Sequence, residues 1–375
     1  TLRLLLDIFE ASCGGEIRLA SPTGRAAKRL QEATGRNSST LHRLLGFEPH
    51  SGKFRHDENN PIEAAMVVVD EASMMDLPLA HALMRAIPNG CRLLLVGDAD
   101  QLPSVGPGSV LRNLVAAPEI PTVRLAHIHR QEFGSGISTA AHAILEGEVP
   151  LTMTGTGGDF FATYRDDPEE AAAMVEKIVC ERIPEKYGLD PRRDILVLSP
   201  MYKGTLGVDA INQRLGARLN PQPHGDDDSD DADNNSRGLV VGDKVMVVRN
   251  DYDREVFNGD TGVVTALQGG GATIEIEGRV HEYSSEEITD LMRAWCVTVH
   301  RSQGSEAPAV VIVLGNSHYM MLRRNLLYTA VTRGKQLVTV VASRWALKTA
   351  IVNAAENRRN GLLGKRIAGL VVQVS

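Results

Sequence analysis

Along the first 120 residues the apolar positions alternate between helical and strand periods. Leu2, Leu5, Leu6 and Phe9 recur at helical spacing, GEIRLASPTG predicts a short strand stopping at Ser21-Pro22-Thr23-Gly24, and GRAAKRLQEATG predicts a helix closed by Gly35. AAMVVVDEASMMD reads as a fully apolar strand ending on two carboxylates. CRLLLVGDADQLPSVGPGSVLRNL is another such strand, breaking into a Gly/Pro loop before a helix. After Pro150 the pattern resumes with a helix in EEAAAMVEKIVCERI, a strand in DILVLSP and a helix in GVDAINQRLGARLN. It returns once more in AWCVTVHRSQGSEAPAVVIVLG and NLLYTAVTRGKQLVTVVAS. Strands apolar on both faces and separated by helices predict parallel sheets covered on both sides, hence an α/β protein with two parallel-sheet domains.

Two stretches break this pattern. In TLHRLLGFEPHSGKFRHDENNPIEA, the turn at His50-Ser51-Gly52-Lys53 joins short polar and aromatic runs and predicts a small projecting β-hairpin. From Gly238, LVVGDKVMVVRNDY, FNGDTGVVTALQ, GGGATIEIEG and RVHEYSS are β-rich runs punctuated by Asn-Gly and Gly-Gly turns, which predict a small inserted antiparallel barrel. The expected division is therefore 1–45 and 62–118 for the first sheet domain, 46–61 for the hairpin, 119–236 and 291–375 for the second sheet domain, and 237–290 for the barrel.

Composition narrows the class. With 375 residues, 43% of them hydrophobic, the chain can build two or three ordinary cores. No run of 18 apolar residues is present, and Arg3, Asp7 and Glu10 interrupt the opening stretch, so neither a membrane span nor a signal peptide is expected. Cys13, Cys91, Cys180 and Cys296 lie far apart without C-x-x-C spacing, which argues against a zinc module or a disulfide scaffold and for a cytoplasmic location. The net charge of -7 is concentrated in Asp226, Asp227, Asp228, Asp230, Asp231 and Asp233; without these six the balance is -1. This run is expected to be a solvated loop, and the overall acidity does not argue against a nucleic-acid partner.

The candidate chemistry sits where apolar strands end. Asp70 and Glu71 close VVVDEAS, and an acidic pair at the carboxyl end of a buried parallel strand can hold magnesium and act on a water, although it can also simply cap a helix. Asp98, Asp100 and Gln101 follow the next strand, and the Gln101 amide could sense a terminal phosphate; the loop from Pro103 to Gly108 could touch a substrate strand. Arg130, after the expected strand TVRLAHI, and Arg333, after a helix, could neutralise charge on a transferring phosphoryl group, or could be ordinary surface charges. Thr298, His300, Ser302 and Gln303 form a polar cluster suited to a phosphodiester backbone, with a core histidine as the plainer alternative for His300. The turn leading through Thr23 into Arg25, Lys28 and Arg29 is also favourable for phosphate. His127 and His129 lack the carboxylate or cysteine that would complete a metal site, and no G-x-x-x-x-G-K-[ST] occurs in the sequence.

Taken in order, SPTGRAAKRL, TLHRLL, VVVDEASMMD, LLLVGDADQLPSVGPGSVL, HRQ, VTVHRSQGSE and YTAVTRGK resemble motifs Ia to VI of superfamily 1 DNA helicases of the RecD-like group, over nearly the whole chain. The resemblance implies two RecA-like motor domains that clamp ATP and walk 5′ to 3′ along single-stranded DNA. It also implies that the hairpin is a strand-separating pin and that the inserted barrel is SH3-like. Family members carry the P-loop immediately before a helix that opens like Thr1 and its leucines, so the P-loop is expected just before Thr1.

Carried over by position, Asp70 is similar to the magnesium ligand, Glu71 to the catalytic carboxylate, Gln101 to the phosphate sensor and Arg130 and Arg333 to arginine fingers. Gln303 joins the nucleotide-binding set. Pro22, Thr23, Arg25, Pro103, Val105, Thr298, His300 and Ser302 match DNA-facing positions. Arg301 stands where the family more often has lysine. The implied cofactors are ATP and Mg2+, and the implied partner is single-stranded DNA with a 5′ overhang or fork. A monomeric motor with no membrane partner, acting in repair or recombination, is expected. The missing P-loop keeps a non-hydrolysing DNA-binding or regulatory module as an alternative, and an NTPase acting on RNA is a third reading.

Overall fold

The computed structural model describes residues 1–125, 135–150, 158–221, 238–354 and 363–374. They fall into two units, Thr1–Ala126 with Ala355–Ser375, and His127–Ala354. None of the described helices is long and apolar enough to cross a membrane.

The first unit is built on parallel strands β1 (Ile17–Ser21), β2 (Ser38–Thr40), β5 (Met66–Val69) and β6 (Arg92–Leu95), in the order β2-β1-β5-β6. Side chains alternate along β5. Met66 and Val68 pack on one face with Leu6, Phe9 and Leu30, whereas Val67 and Val69 pack on the other with Leu41, Leu83 and Leu111. All four strand residues are buried, each burial being worth about 1.5–3 kcal/mol for a large aliphatic side chain. The helix Gly24–Thr34 starts at Thr23, whose hydroxyl accepts the Ala26 amide, and stops at Gly35 in left-handed backbone. Between β2 and β5 a two-stranded ribbon, β3 (Phe47–Glu48) with β4 (Lys53–Phe54), occurs where the hairpin is expected. Phe47 and Phe54 lie 5.3 Å apart, and His42 meets the Phe47 ring edge-on at 5.4 Å, so rings fasten the base of the ribbon.

The second unit has five parallel strands: β7 (Phe160–Tyr164), β8 (Ile195–Ser199), β14 (Cys296–Thr298), β15 (Ala307–Leu314) and β16 (Gly334–Ala342). Their order is β14-β8-β15-β16-β7. Val310 to Leu314 are wholly buried, as a continuous apolar run in a central parallel strand requires. Inserted after the helix Val208–Leu219 is an antiparallel sheet of β9 (Lys244–Val247), β10 (Thr261–Gln268), β11 (Gly271–Ile276), β12 (Arg279–Tyr283) and β13 (Leu291–Arg293). These strands surround a core that includes Val245, Val264, Ile274, Tyr283 and Leu291. The insertion is fastened to the parallel sheet by the buried Lys244, whose Nζ donates to the Ile195 carbonyl at 2.7 Å, and by the 2.9 Å ion pair of Arg193 with Glu275.

Four expectations change. The inserted sheet, ordered β12-β11-β10-β9-β13, has a fifth strand that runs to Arg293 rather than ending at 290. The helix Leu363–Val374 belongs to the first unit, where Leu363 packs on the Leu79 and Leu83 core, although 291–375 was expected in the second sheet domain. An apolar helical period says that a face is covered, not which sheet covers it. Residues 122–125 of the expected strand TVRLAHI lie in no regular element, and the rest of that segment is outside the described residues. Finally, β2 and β7 are additional strands, one too short and polar and the other too aromatic to show the apolar run sought in the sequence.

Candidate functional site

In the first unit, three loops leave the carboxyl ends of β1, β5 and β6 side by side. The Asp70 amide donates to the Ala20 carbonyl at 2.9 Å, continuing the β1 and β5 pairing, and the Ala72 amide donates to the Val96 carbonyl at 2.9 Å, continuing that of β5 and β6. This is where open parallel sheets receive ligands. Gly97 permits the close approach, since a Cβ there would lie 3.0 Å from the Ala72 nitrogen and from the Leu111 side chain.

Asp70 and Glu71 are both half-buried. The Asp70 Oδ1 accepts the Glu71 amide at 2.9 Å. Glu71 occupies left-handed backbone with φ 51°, a conformation that costs a non-glycine residue about 1–3 kcal/mol and recurs at functional sites. It forms the entry to a single helical turn over Ala72–Met74 rather than a side-chain cap, which weakens the plain capping explanation of the pair. The described residues bring together no group of three metal-ligating side chains. Magnesium does not need one, because it retains waters and takes phosphate oxygens beside one or two carboxylates.

Beyond β6, Asp98 accepts the Asp100 amide at 2.9 Å through Oδ1 and the Gln101 side-chain amide at 3.2 Å through Oδ2. Gln101 is thus tethered to the start of its own loop, just after β6. The following loop is folded around buried Ser104, which donates toward the Gly106 carbonyl at 3.2 Å, and it leaves Val105 86% exposed at its apex beside half-buried Pro103. Pro22, Thr23 and Arg25 are half-buried at the end of β1, with the Thr23 hydroxyl used in the helix cap. A cavity of about 550 Å³ opens beside Asp100, lined also by Arg112, Thr122 and Arg124. Both arginines approach Asp100, at 4.0 and 3.9 Å.

In the second unit the polar cluster after β14 divides. Thr298 and Ser302 are buried: Thr298 Oγ1 accepts the Arg301 amide at 3.3 Å, and Ser302 Oγ donates to the Val299 carbonyl at 2.8 Å. Both hydroxyls are bonded within their own loop and shape its turn. His300 and Arg301 are the members that reach solvent, each half-buried. Burial, with Arg323 nearby, pushes the His300 pKa down and favours the neutral ring. Gln303 is buried.

Arg333 follows the helix Arg324–Val331 and is 1% exposed. Its guanidinium donates to the Thr329 carbonyl at 3.1 Å and to the Ser305 carbonyl at 3.2 Å, so it joins the end of the β14 loop to the start of β16. Arg130, His127 and His129 lie outside the described residues, as does the aspartate run. Tyr202 and Lys203, exposed beyond β8, escaped the sequence reading, as did Arg112 and Arg124. The only local signal at the first pair was an aromatic and a cation directly after an apolar strand.

Comparison with known proteins gives the following matches. Residues 1–159 match an AAA domain, residues 211–277 match the ATP-dependent RecD-like DNA helicase SH3 domain, and residues 293–341 match the UvrD-like helicase C-terminal domain. The chain is 39% identical over 363 residues to the ATP-dependent RecD2 DNA helicase of Deinococcus radiodurans, covering 97% of this chain and 48% of that protein. It is 34% identical over 402 residues to the RecBCD enzyme subunit RecD of Mycobacterium tuberculosis, covering 96% of this chain and 67% of that protein. It therefore spans about half the length of the first relative and two thirds of the second. Among solved structures, a Pif1 helicase from Bacteroides in complex with ADP-AlF3 and ssDNA is similar with a TM-score of 0.55 and 19% identity, over 94% of this chain and 88% of that one. The Pif1 helicase from Candida albicans is similar with a TM-score of 0.51 and 18% identity, over 100% of this chain and 92% of that one. At these identities the likeness is one of fold.

Proposed function

The chain belongs to the RecD-like DNA helicase family, and from that premise we propose that it is the motor portion of a cytoplasmic, ATP-driven helicase that moves 5′ to 3′ along single-stranded DNA in repair or recombination. The observation that carries this reading is the Asp70-Glu71 pair. It stands at the carboxyl end of a wholly buried parallel strand, with Glu71 held in left-handed backbone and the tethered Gln101 on the adjoining loop.

Magnesium-bound ATP would supply the anhydride to be cleaved and a cation that offsets charge on its phosphates. In the proposed chemistry Asp70 holds the cation, while Glu71 orients the attacking water and takes its proton. The Gln101 amide exchanges Asp98 for a phosphate oxygen, passing the state of the site to the loop that carries Val105. Arg333 would offset charge on the transferring group, which requires its guanidinium to give up the Thr329 and Ser305 carbonyls. Arg130 shares that role in this reading. The residues fit part of a nucleotide site only, because the 375 residues hold no P-loop lysine. Among the described residues β6 is paired on one side alone, with Leu93, Leu94 and Leu95 half-buried, which supports a further strand at that edge. Pro22, Thr23, Arg25, Pro103, Val105 and His300 are the proposed DNA contacts, and the ribbon at Phe47–Phe54 the strand-separating pin.

Unwinding by the intact protein tests the reading. Duplexes with a 5′ tail or a fork are expected to be opened with ATP and magnesium, and duplexes with only a 3′ tail are not. Opening of the 3′-tailed duplex alone would overturn the direction. Stimulation of ATP turnover by RNA and not by DNA would favour an RNA-dependent NTPase, and DNA binding without any turnover would favour a regulatory module.

A further inference from the structure

β8 and β14 are neighbours in the second sheet, with Ser199 opposite Thr298, so the loops that follow them leave the sheet together. The first loop is tightly built. The Val208 amide donates to the Met201 carbonyl at 2.9 Å, the Asp209 amide to the Tyr202 carbonyl at 3.1 Å, and Ser199 Oγ to the Leu206 carbonyl at 2.7 Å. Gly207 is required there, since a Cβ would come within 2.3 Å of the Tyr202 carbonyl oxygen and 2.5 Å of that of Lys203. A loop so constrained holds the exposed Tyr202 side chain, 42% accessible, in a fixed place next to the exposed Lys203.

From the second loop, Arg301 reaches across 99 positions of sequence and donates Nε to the Tyr202 hydroxyl at 2.8 Å. Among the described residues Arg301 pairs with no carboxylate, whereas Arg193, Arg214 and Arg218 of the same unit each pair with a glutamate. A guanidinium positioned by a neutral phenol keeps its whole charge for an outside anion, and the bond through Nε leaves both terminal nitrogens for a two-pronged contact. Lysine, with all its donors on one nitrogen, lacks this planar fork. The arginine at 301 is therefore matched to the tyrosine at 202.

We propose that Tyr202 and Arg301 form a binding site for one nucleotide of a single DNA strand, the tyrosine ring stacking on the base and the guanidinium taking the adjoining phosphate. Aromatic faces beside cations are how single strands are held without regard to sequence, and neighbouring Lys203 adds a second positive charge. The proposal rests on the helicase reading for its substrate, and it adds the loop after β8 to the DNA contacts of the second unit.

The test is binding of fluorescent oligothymidylate, and of an abasic strand of equal length, to the intact protein across a range of salt. Tyr202→Ala is expected to weaken thymidylate binding at least about fivefold and to weaken the abasic strand less, through the lost anchor of Arg301 alone. Tyr202→Trp keeps a stacking face and is expected to retain thymidylate binding. Arg301→Gln is expected to weaken both strands alike and to reduce the slope of log affinity against log salt by about 0.7, the value for one phosphate contact on a single strand. Equal losses in the Ala and Trp variants, equal losses of thymidylate and abasic binding in Tyr202→Ala, or an unchanged salt slope in Arg301→Gln would each overturn the site. If the unsubstituted protein bound neither strand, the helicase reading itself would fail, whereas normal binding by every variant would remove this site alone.

Discussion

In the first unit Glu71 is half-buried in left-handed backbone, and Gln101 is tied through its amide to Asp98. In the second unit Arg333, Thr298 and Ser302 are buried, and their polar atoms are bonded within their own unit. The two parallel sheets share a fold but hold their candidate chemistry in opposite ways. The first keeps a strained, accessible set of carboxylates and amides beside its strand ends, and the second has made its polar residues part of the interior. Substitutions in the first unit should therefore change chemistry with little effect on folding, while those in the second should change both.

The largest effect that separates these cases is expected for Arg333→Ala. DNA-stimulated ATP turnover should fall by about 10³ or more, as for loss of an arginine finger. The unfolding free energy should also fall by about 2–4 kcal/mol, because carbonyls at Thr329 and Ser305 lose their donor and a buried side chain leaves a void. Denaturant unfolding beside a turnover assay would show it, and loss of turnover with unchanged stability would break the comparison.

A second contrast is in pH. Burial pushes His318 of the second unit down to about 4 from 6.5, and its Nδ1 accepts the Gly315 amide at 3.2 Å. The unfolded state then binds more protons between these values, so the contribution is full above pH 6.5 and is lost as pH falls toward 4, amounting to about 3 kcal/mol at most. Unfolding free energies measured at neutral pH and near pH 4.5 should differ accordingly. His318→Asn keeps an acceptor without the titration and should flatten that dependence.

The smaller effects belong to the first unit. Glu71→Gly should relieve the left-handed backbone and raise stability by about 1 kcal/mol while removing turnover. A destabilised glycine variant would argue that Glu71 is placed for folding rather than chemistry. Thr23→Ala removes the acceptor for the Ala26 amide and should cost about 1 kcal/mol, read as a shift in the unfolding midpoint.

What could be read in the sequence follows from the range of the forces involved. β5, β8 and β15 were legible because strands buried on both faces must be apolar throughout. Asp70 and Glu71 were legible as polar residues directly after such a strand, and Gln101 as a polar residue in the loop that follows β6. Thr298 and Ser302 gave the same signal, yet a hydroxyl can satisfy its own turn as readily as a ligand, and here it does. Tyr202 was missed because its meaning depends on the pairing of β8 with β14, which no local pattern encodes. The left-handed backbone of Glu71 likewise lies where the loops after β5 and β6 meet around Gly97, a contact no local pattern encodes.

The most direct measurement compares Glu71→Gln with the unsubstituted intact protein, reading phosphate release from ATP on oligothymidylate and affinity for the same oligonucleotide. Turnover is expected to fall by about 10² to 10⁴, the usual range for removing a general base, with DNA affinity unchanged. Turnover near that of the unsubstituted protein would contradict the assignment of Glu71 as the residue that activates water.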